Sequence, residues 1–259
     1  MVEAALLSKI EIFMAETSFL ELTNKLLRML NEVEIQSSEF ATVRGKPAAA
    51  KDAVRYAVKD INSQQHHWPF NAAEHEIVLT VGQEEYPWPE NFKVPDWNSF
   101  QIQKDDTLDI QSSTLRHITR DEWYKHFRDG DYDAETDGTE MPKFVFEAHG
   151  RGFGLSPSPD QAYTLKYRYY LFPTEMELST DTCRIPTEWD HVIVQGGMYY
   201  MFMYDDNDER AAVTNKKFLT SLAKMRSILI NNYLYMADTR VNFGGGLTNS
   251  PNYRDPRYV

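Results

Sequence analysis

An α+β fold, with N- and C-terminal helices forming one helical bundle around an inserted antiparallel β module and the chain ending in an extended tail, follows from three features of the sequence. Apolar residues recur every three or four positions over 19–33, 47–61 and 187–232. Between these stretches, from about residue 70 to 183, short runs alternate apolar with polar residues and are cut by Gly and Pro. Beyond residue 232 both periods stop. The resulting division is an N-terminal extension at 1–16, the first half of the bundle at 17–69, the β module at 70–183, the second half of the bundle at 184–232, and a docking tail at 233–259.

The first helix, 19–33, opens on Ser18-Phe19-Leu20-Glu21, the form of a capping box in which hydroxyl and carboxylate satisfy each other's exposed amides. Phe19, Leu22, Leu26, Met29, Leu30 and Val33 share one face, and Glu21 with Lys25 forms a favourable pair on the outside. A polar loop at 36–45 follows. Pro47 starts a second helix whose narrow inner stripe is Ala50, Ala53, Val54, Ala57, Val58 and Ile61, with Lys51, Asp52, Lys59 and Asp60 facing water.

Strands are expected at 77–81, 100–103, 144–146 and 163–169, half-buried and antiparallel with one wet face. A short helix at 119–127 carries its own cap in Thr119 and Glu122. Gly150-Arg151-Gly152-Phe153-Gly154 lacks dinucleotide spacing and runs into Leu155-Ser156-Pro157, so it is a hairpin turn. The last helical block holds two helices separated by a polar break at 205–210. Trp189, Val192, Ile193, Gly196, Tyr200, Met203 and Tyr204 line the first, and Phe218, Leu222, Met225 and Leu229 the second. Thr187 offers a hydroxyl cap, and Gly196-Gly197 a flat place for another backbone to approach.

Composition narrows the function. A formal net charge of −12 argues against a protein that grips phosphate backbones, although an acidic wall suits a tube through which DNA slides. An aromatic content of 13% is more than a helical bundle wants and points to a β module or large contact surfaces. The single cysteine, Cys183, excludes an intramolecular disulfide and reads as a small core residue or an idle thiol rather than a catalytic one. The most apolar stretch, 198–204, is far shorter than a membrane span, and residues 1–14 lack the basic start and cleavage site of a secretion signal. No nucleophile elbow, Walker loop or paired-His zinc spacing is present, so no catalytic residue and no cofactor is assigned.

Two sets of residues stand out as site candidates. Asp129, Asp131, Asp133, Asp137 and Glu140 occupy positions one, three, five, nine and twelve of a calcium-loop pattern. The fit is incomplete, with Ala134 where the turn wants Gly and Pro142 near the place for a second helix, so a solvated acidic loop is the default reading. In the tail, Phe243, Tyr253, Arg254, Arg257 and Tyr258 alternate aromatic with basic character after the Gly244-Gly245-Gly246 hinge, a composition suited to an interface rather than a core.

Several stretches together resemble the head-to-tail adaptor, or tail tubular protein A, of short-tailed bacteriophages. They are the run from Met14-Ala15-Glu16-Thr17-Ser18-Phe19-Leu20-Glu21 to Asn31-Glu32-Val33, then Ala50-Lys51-Asp52-Ala53-Val54, Asp60-Ile61 and Trp68-Pro69-Phe70. The similarity resumes at 155–160 with Tyr163-Thr164-Leu165 and Tyr169, and ends with Ile185-Pro186 and 189–196. It covers most of 14–204, and the order of the stretches carries its specificity. Because the family begins near Met14, that residue is a second candidate for the native start.

The resemblance implies a non-enzymatic virion protein, made in the host cytoplasm and placed in the tail at the portal vertex. It implies a dodecameric homo-oligomeric ring between the portal protein and the tail nozzle, with tail fibre proteins nearby. DNA would pass through the lumen without sequence-specific binding, and no membrane is involved. The alternative from the residues themselves is a calcium-assisted carbohydrate-binding or hydrolytic module acting at the host surface, motivated by the acidic loop and by aromatic strands taken as exposed.

Overall fold

The structure, a computed structural model, describes residues 16–104, 111–125 and 139–230. The chain divides into two compact units, Met1–Ser63 with Met176–Val259 and Gln64–Glu175, hereafter the helical unit and the β unit. Helices and mostly antiparallel sheets together make the fold α+β, as expected.

In the helical unit, strand β1 (Glu16–Ser18) leads directly into helix α1 (Phe19–Met29). The Ser18 hydroxyl accepts the Glu21 amide at 3.3 Å, one half of the expected capping box. The Glu21 carboxylate turns instead to Lys25, 2.9 Å away. The helix is shorter than its periodicity suggested. Asn31 takes a positive φ of 58°, and the amides of Glu32 and Asn31 close on the carbonyls of Leu27 and Arg28 at 2.9 and 3.1 Å, a Schellman stop. Met29 and Val33, assigned to the inner face, are therefore exposed.

Helix α2 (Lys46–Gln64) buries Ala50, Ala53, Val54, Ala57 and Ile61, the expected small-residue stripe. Lys51 is not a water-facing residue: its Nζ donates to the Phe40 carbonyl at 2.7 Å and sits 4.3 Å over the Phe40 ring. The last two helices are α4 (Asp190–Tyr204) and α5 (Asp208–Leu229), parted at the expected polar break, where Asp206 turns with φ 50° and Asn207 caps the Arg210 amide. Thr187 makes no capping hydrogen bond; residues Thr187–Trp189 form a 3₁₀ turn ahead of α4. Met203 and Tyr204 are exposed, not part of the inner stripe.

Gly196 and Gly197 do mark a close approach, but side chains fill it, not backbone. A Cβ on Gly196 would lie 2.8 Å from the Ala57 Cβ and 3.0 Å from the Phe218 ring, and one on Gly197 would lie 2.8 Å from Leu26. Side chains of α1, α2 and α5 thus converge on two adjacent positions of α4. The unit is completed by β11 (Thr182–Pro186), which pairs antiparallel with β1.

In the β unit, the first sheet is built on β10 (Thr164–Leu171), flanked by β2 (Ala72–Val78) on one side and by β4 (Phe92–Pro95) and β5 (Gln101–Ile102) on the other, with β6 (Ser113–Thr114) beyond β5. The second runs in the order β3 (Glu85–Pro87), β9 (Gly152–Ser156), β8 (Phe144–Glu147), β7 (Arg116–His117). The expected hairpin is the β8–β9 connection, turned at Gly150 with φ 81°. One pair departs from the antiparallel expectation, since β7 runs parallel to β8. The strand expected at 77–81 starts earlier, because Glu74 and Glu76 can sit on its wet face, Glu74 pairing with Lys166 at 2.8 Å.

Phe100, Phe153, Leu155, Leu165, Tyr167 and Tyr169, contributed by both sheets, share one buried cluster. Phe100 stacks on Tyr167 at 4.7 Å between ring centres, and Phe153 meets Tyr167 edge-on at 5.4 Å. The other face of the second sheet is covered by the short helix α3 (Arg120–Trp123), which has both halves of its expected Thr119/Glu122 capping box. Trp123 stacks on Phe146 at 4.6 Å, and Phe146 in turn lies over Gly154, its directly paired residue, where a Cβ would fall 2.3 Å from the ring.

Candidate interaction surfaces

The polar centre of the helical unit is Asp190. It falls in phase with Ile193, Val194 and Gly197 on the inner side of α4, so the fold carries a carboxylate into a buried stripe and must supply donors for it. Thr17 Oγ1 and Lys25 Nζ both donate to Asp190 Oδ2, each at 2.7 Å. Burial pulls the Lys25 pKa down, but its bonds to Asp190 and Glu21 outweigh that and leave it above the ordinary lysine value. The other oxygen, Asp190 Oδ1, is shielded from solvent and has no hydrogen-bond partner, and the same holds for Gln195 Oε1.

Both residues line an open groove of about 340 Å³ between α1 and α4, walled largely by apolar atoms of Met29, Val194 and Met198. Sequence reasoning missed this groove because it placed Met29 inside and gave Lys25 only its outer partner. The signal that could have found it is the charged residue in phase with Ile193 and Gly197.

Charge separates the two units. Residues 64–175 hold 20 Asp and Glu against 10 Lys and Arg, while the rest of the chain holds 19 against 17, so the net charges are −10 and −2 of the total −12. The wet face of the first β sheet forms a polar groove of about 430 Å³ lined by Glu74, Gln101, Gln103, Thr114, Lys166 and Arg168. The aromatic strand residues that motivated a carbohydrate-binding reading offer it no exposed ring: Tyr163, Tyr167 and Tyr169 are 3%, 1% and 6% exposed, although Tyr167 contributes to the groove lining.

Of the calcium-loop candidates, Asp129, Asp131, Asp133 and Asp137 lie outside the described residues. Glu140 is exposed and ion-paired to Lys143 at 2.8 Å. Among the described residues no group of three or more His, Cys, Asp or Glu could hold a metal ion. The interface candidates Phe243, Tyr253, Arg254, Arg257 and Tyr258 also lie outside the described residues. Cys183 is buried in β11, and burial pushes its thiol up to about 12, which suits the core role read from the sequence. Among the described residues no helix is long and apolar enough to cross a membrane.

What these surfaces offer is contact: an apolar groove with buried acceptors, exposed methionine beside it, and a separate acidic unit, the makings of an assembly protein. The family model for the SU10 adaptor protein matches residues 17–242, and the chain belongs to this family of phage head–tail adaptors. It is accordingly a structural protein of the bacteriophage virion, located in the tail and working in contact with other virion proteins such as portal and tail components. No curated protein matches the chain in sequence.

Proposed function

We propose that the chain forms a dodecameric ring that joins the portal to the tail nozzle and makes part of the conduit through which DNA is ejected. The family match over 17–242 is the observation that carries this reading. The helical unit forms the ring body, the β unit faces the nozzle and neighbouring tail parts, and the segment 233–259 reaches the portal through Phe243, Tyr253, Arg254, Arg257 and Tyr258.

The charge partition supports a division of labour. A wall that DNA must slide past without sticking is best made acidic, and the β unit carries −10 of the net charge of −12. Head-to-tail contacts between identical subunits close rings when the rotation allows. The experiment is negative-stain imaging of the full chain with and without its portal: rings, or rings that appear on the portal, are the expected result. A chain that stays monomeric and ignores the portal at high concentration overturns the reading.

A further inference from the structure

The groove runs along one face of α4, and α5 packs against a different face of the same helix. Asp190, Val194 and Met198 recur every four residues along one face of α4. Gly196, whose face meets Phe218 of α5, is two residues out of phase with Val194 and so about 200° round the helix. A front and a back that fit each other are what a head-to-tail contact between identical subunits requires.

The groove lacks donors for two of its acceptors. Its own lining holds Lys25 and Arg28 against Asp190, but the carboxylates of Glu21 and Glu34 that pair with these cations tip the local balance to one negative charge. Lys25 lies between Glu21 at 2.9 Å and Asp190 at 2.7 Å, and Arg28 pairs with Glu34 at 2.9 Å, so three carboxylates share two positive charges. His191 turns its Nδ1 to the Glu188 carbonyl oxygen instead. The groove's two unpartnered acceptors, Asp190 Oδ1 and Gln195 Oε1, would each accept an N–H. A solvent-excluded acceptor without a donor is costly in the separate subunit, and a partner's donor removes that cost.

The flank of α5 has the missing pieces. Leu219, Ala223 and Arg226 share one edge at spacings of four and three; all are exposed, and among the described residues Arg226 makes no ion pair. A guanidinium brings five N–H donors in a flat fork that lies well along apolar walls, which suits two acceptors beside Met29, Val194 and Met198 better than a point-like ammonium does. Methionine side chains adapt readily, so those at the rim can move aside for it.

We infer that a second copy of this chain seats the Leu219–Ala223–Arg226 edge of its α5 in the α1/α4 groove, with Arg226 directed at Asp190 and Gln195. This rests on the ring reading above and names the surfaces that close the ring.

The test is site-directed cross-linking of the full chain, assembled alone or on its portal. Met29→Cys and Leu219→Cys are made in separate copies and mixed with a short bismaleimide; buried Cys183 serves as the silent background. The expected result is a cross-linked pair from the mixture and not from either variant by itself. The chain carrying both substitutions should give a ladder of linked copies. Arg226→Glu, on an exposed turn where folding is spared, should reduce the linked product about tenfold or more. Gln195→Leu, which keeps the Asp190 network, should reduce it less.

Rings that form but give no link between positions 29 and 219, or an Arg226→Glu chain that links as well as the parent, overturn this interface and leave the adaptor reading intact. Failure of the copies to associate at all overturns both.

Discussion

The two units bury their interiors by different means. The helical unit packs small and aliphatic side chains against two glycines of α4, and its conspicuous polar group is a carboxylate held by Thr17 and Lys25. The β unit packs aromatic rings between two sheets and on the far face of one of them, and among the described residues none of its carboxylates is fully buried, Glu74, Glu85 and Glu140 being exposed. Close helix packing leaves little tolerance for added volume but many small contacts. A ring stack concentrates the core energy in a few large residues. The helical unit, whose largely apolar groove holds the acceptors Asp190 Oδ1 and Gln195 Oε1, is suited to contact with further copies, and the unit with the excess charge is suited to repelling a polyanion.

The largest loss of stability is expected at Phe100. This residue is fully buried, stacked on Tyr167 and edge-on to Phe153 at 5.5 Å, so Phe100→Ala should cost about 3–5 kcal/mol. Leu222→Ala, in the helical unit, removes a smaller side chain from α5 and should cost about 2–4 kcal/mol. Denaturant melts of the two variants decide the point. Equal or reversed losses would mean that the ring stack does not concentrate the energy as described.

Volume added at glycine sharpens the same contrast. Gly197→Ala drives a methyl against Leu26, a side chain with rotamers to spare, and gains helix propensity of about 1 kcal/mol in return. Gly154→Ala drives one into the Phe146 ring, which is held by Trp123 above it, with no such compensation. Overpacking costs about 1–3 kcal/mol, so Gly154→Ala should lower the melting temperature distinctly and Gly197→Ala only slightly. A larger drop for Gly197→Ala would show that the α1–α4 contact is the stiffer of the two.

How much of this was legible follows from which interactions are local. Ser18 and Thr119 gave away two helix starts because a cap is a matter of three residues, and the small-residue stripe of α2 could be read from period alone. The end of α1 was not legible: Asn31 has the αL tolerance for a Schellman stop, but the apolar period runs on past it through Val33. Alternation in β10 identified its two faces, yet only packing against the second sheet decided that Tyr167 and Tyr169 are core and not an exposed platform. The parallel β7–β8 pair joins residues 116 and 144, a separation for which no local signal exists. The α1/α4 groove required knowing that Lys25 and Asp190, 165 positions apart, meet.

Alkaline titration separates the units more gently. Burial raises the phenols of Tyr86 and Tyr167, and burial with the bond to Asp160 raises Tyr163 to about 12, all in the β unit. In the helical unit, burial and the bond to Asp60 raise Tyr200. An unfolded tyrosine ionises near pH 10 while these folded ones hold their protons, so their stabilisation is intact below pH 10 and is lost as the pH climbs toward 12. The β unit, with more such groups, should fail first, seen as a change in Trp88 and Trp97 fluorescence ahead of the loss of helical circular dichroism. Helix loss that precedes the fluorescence change would mean that the buried tyrosines do not set the order of alkaline unfolding.

The smallest effect on folding, and the most informative for assembly, is expected from removing the residues after Asn242. Those residues, Phe243 to Val259, contain three successive glycines, two prolines and no apolar period, so by composition they add nothing to either core. The shortened chain should melt within about 1 °C of the parent, a difference smaller than a 0.5 kcal/mol change would produce. The basic and aromatic residues it loses are those assigned to the portal, whereas the groove and the Leu219–Arg226 edge are untouched. Portal binding by sedimentation should therefore weaken while the cross-link between positions 29 and 219 persists. A shortened chain that binds the portal normally but no longer links would interchange the two roles and place the tail, not α5, between neighbouring subunits.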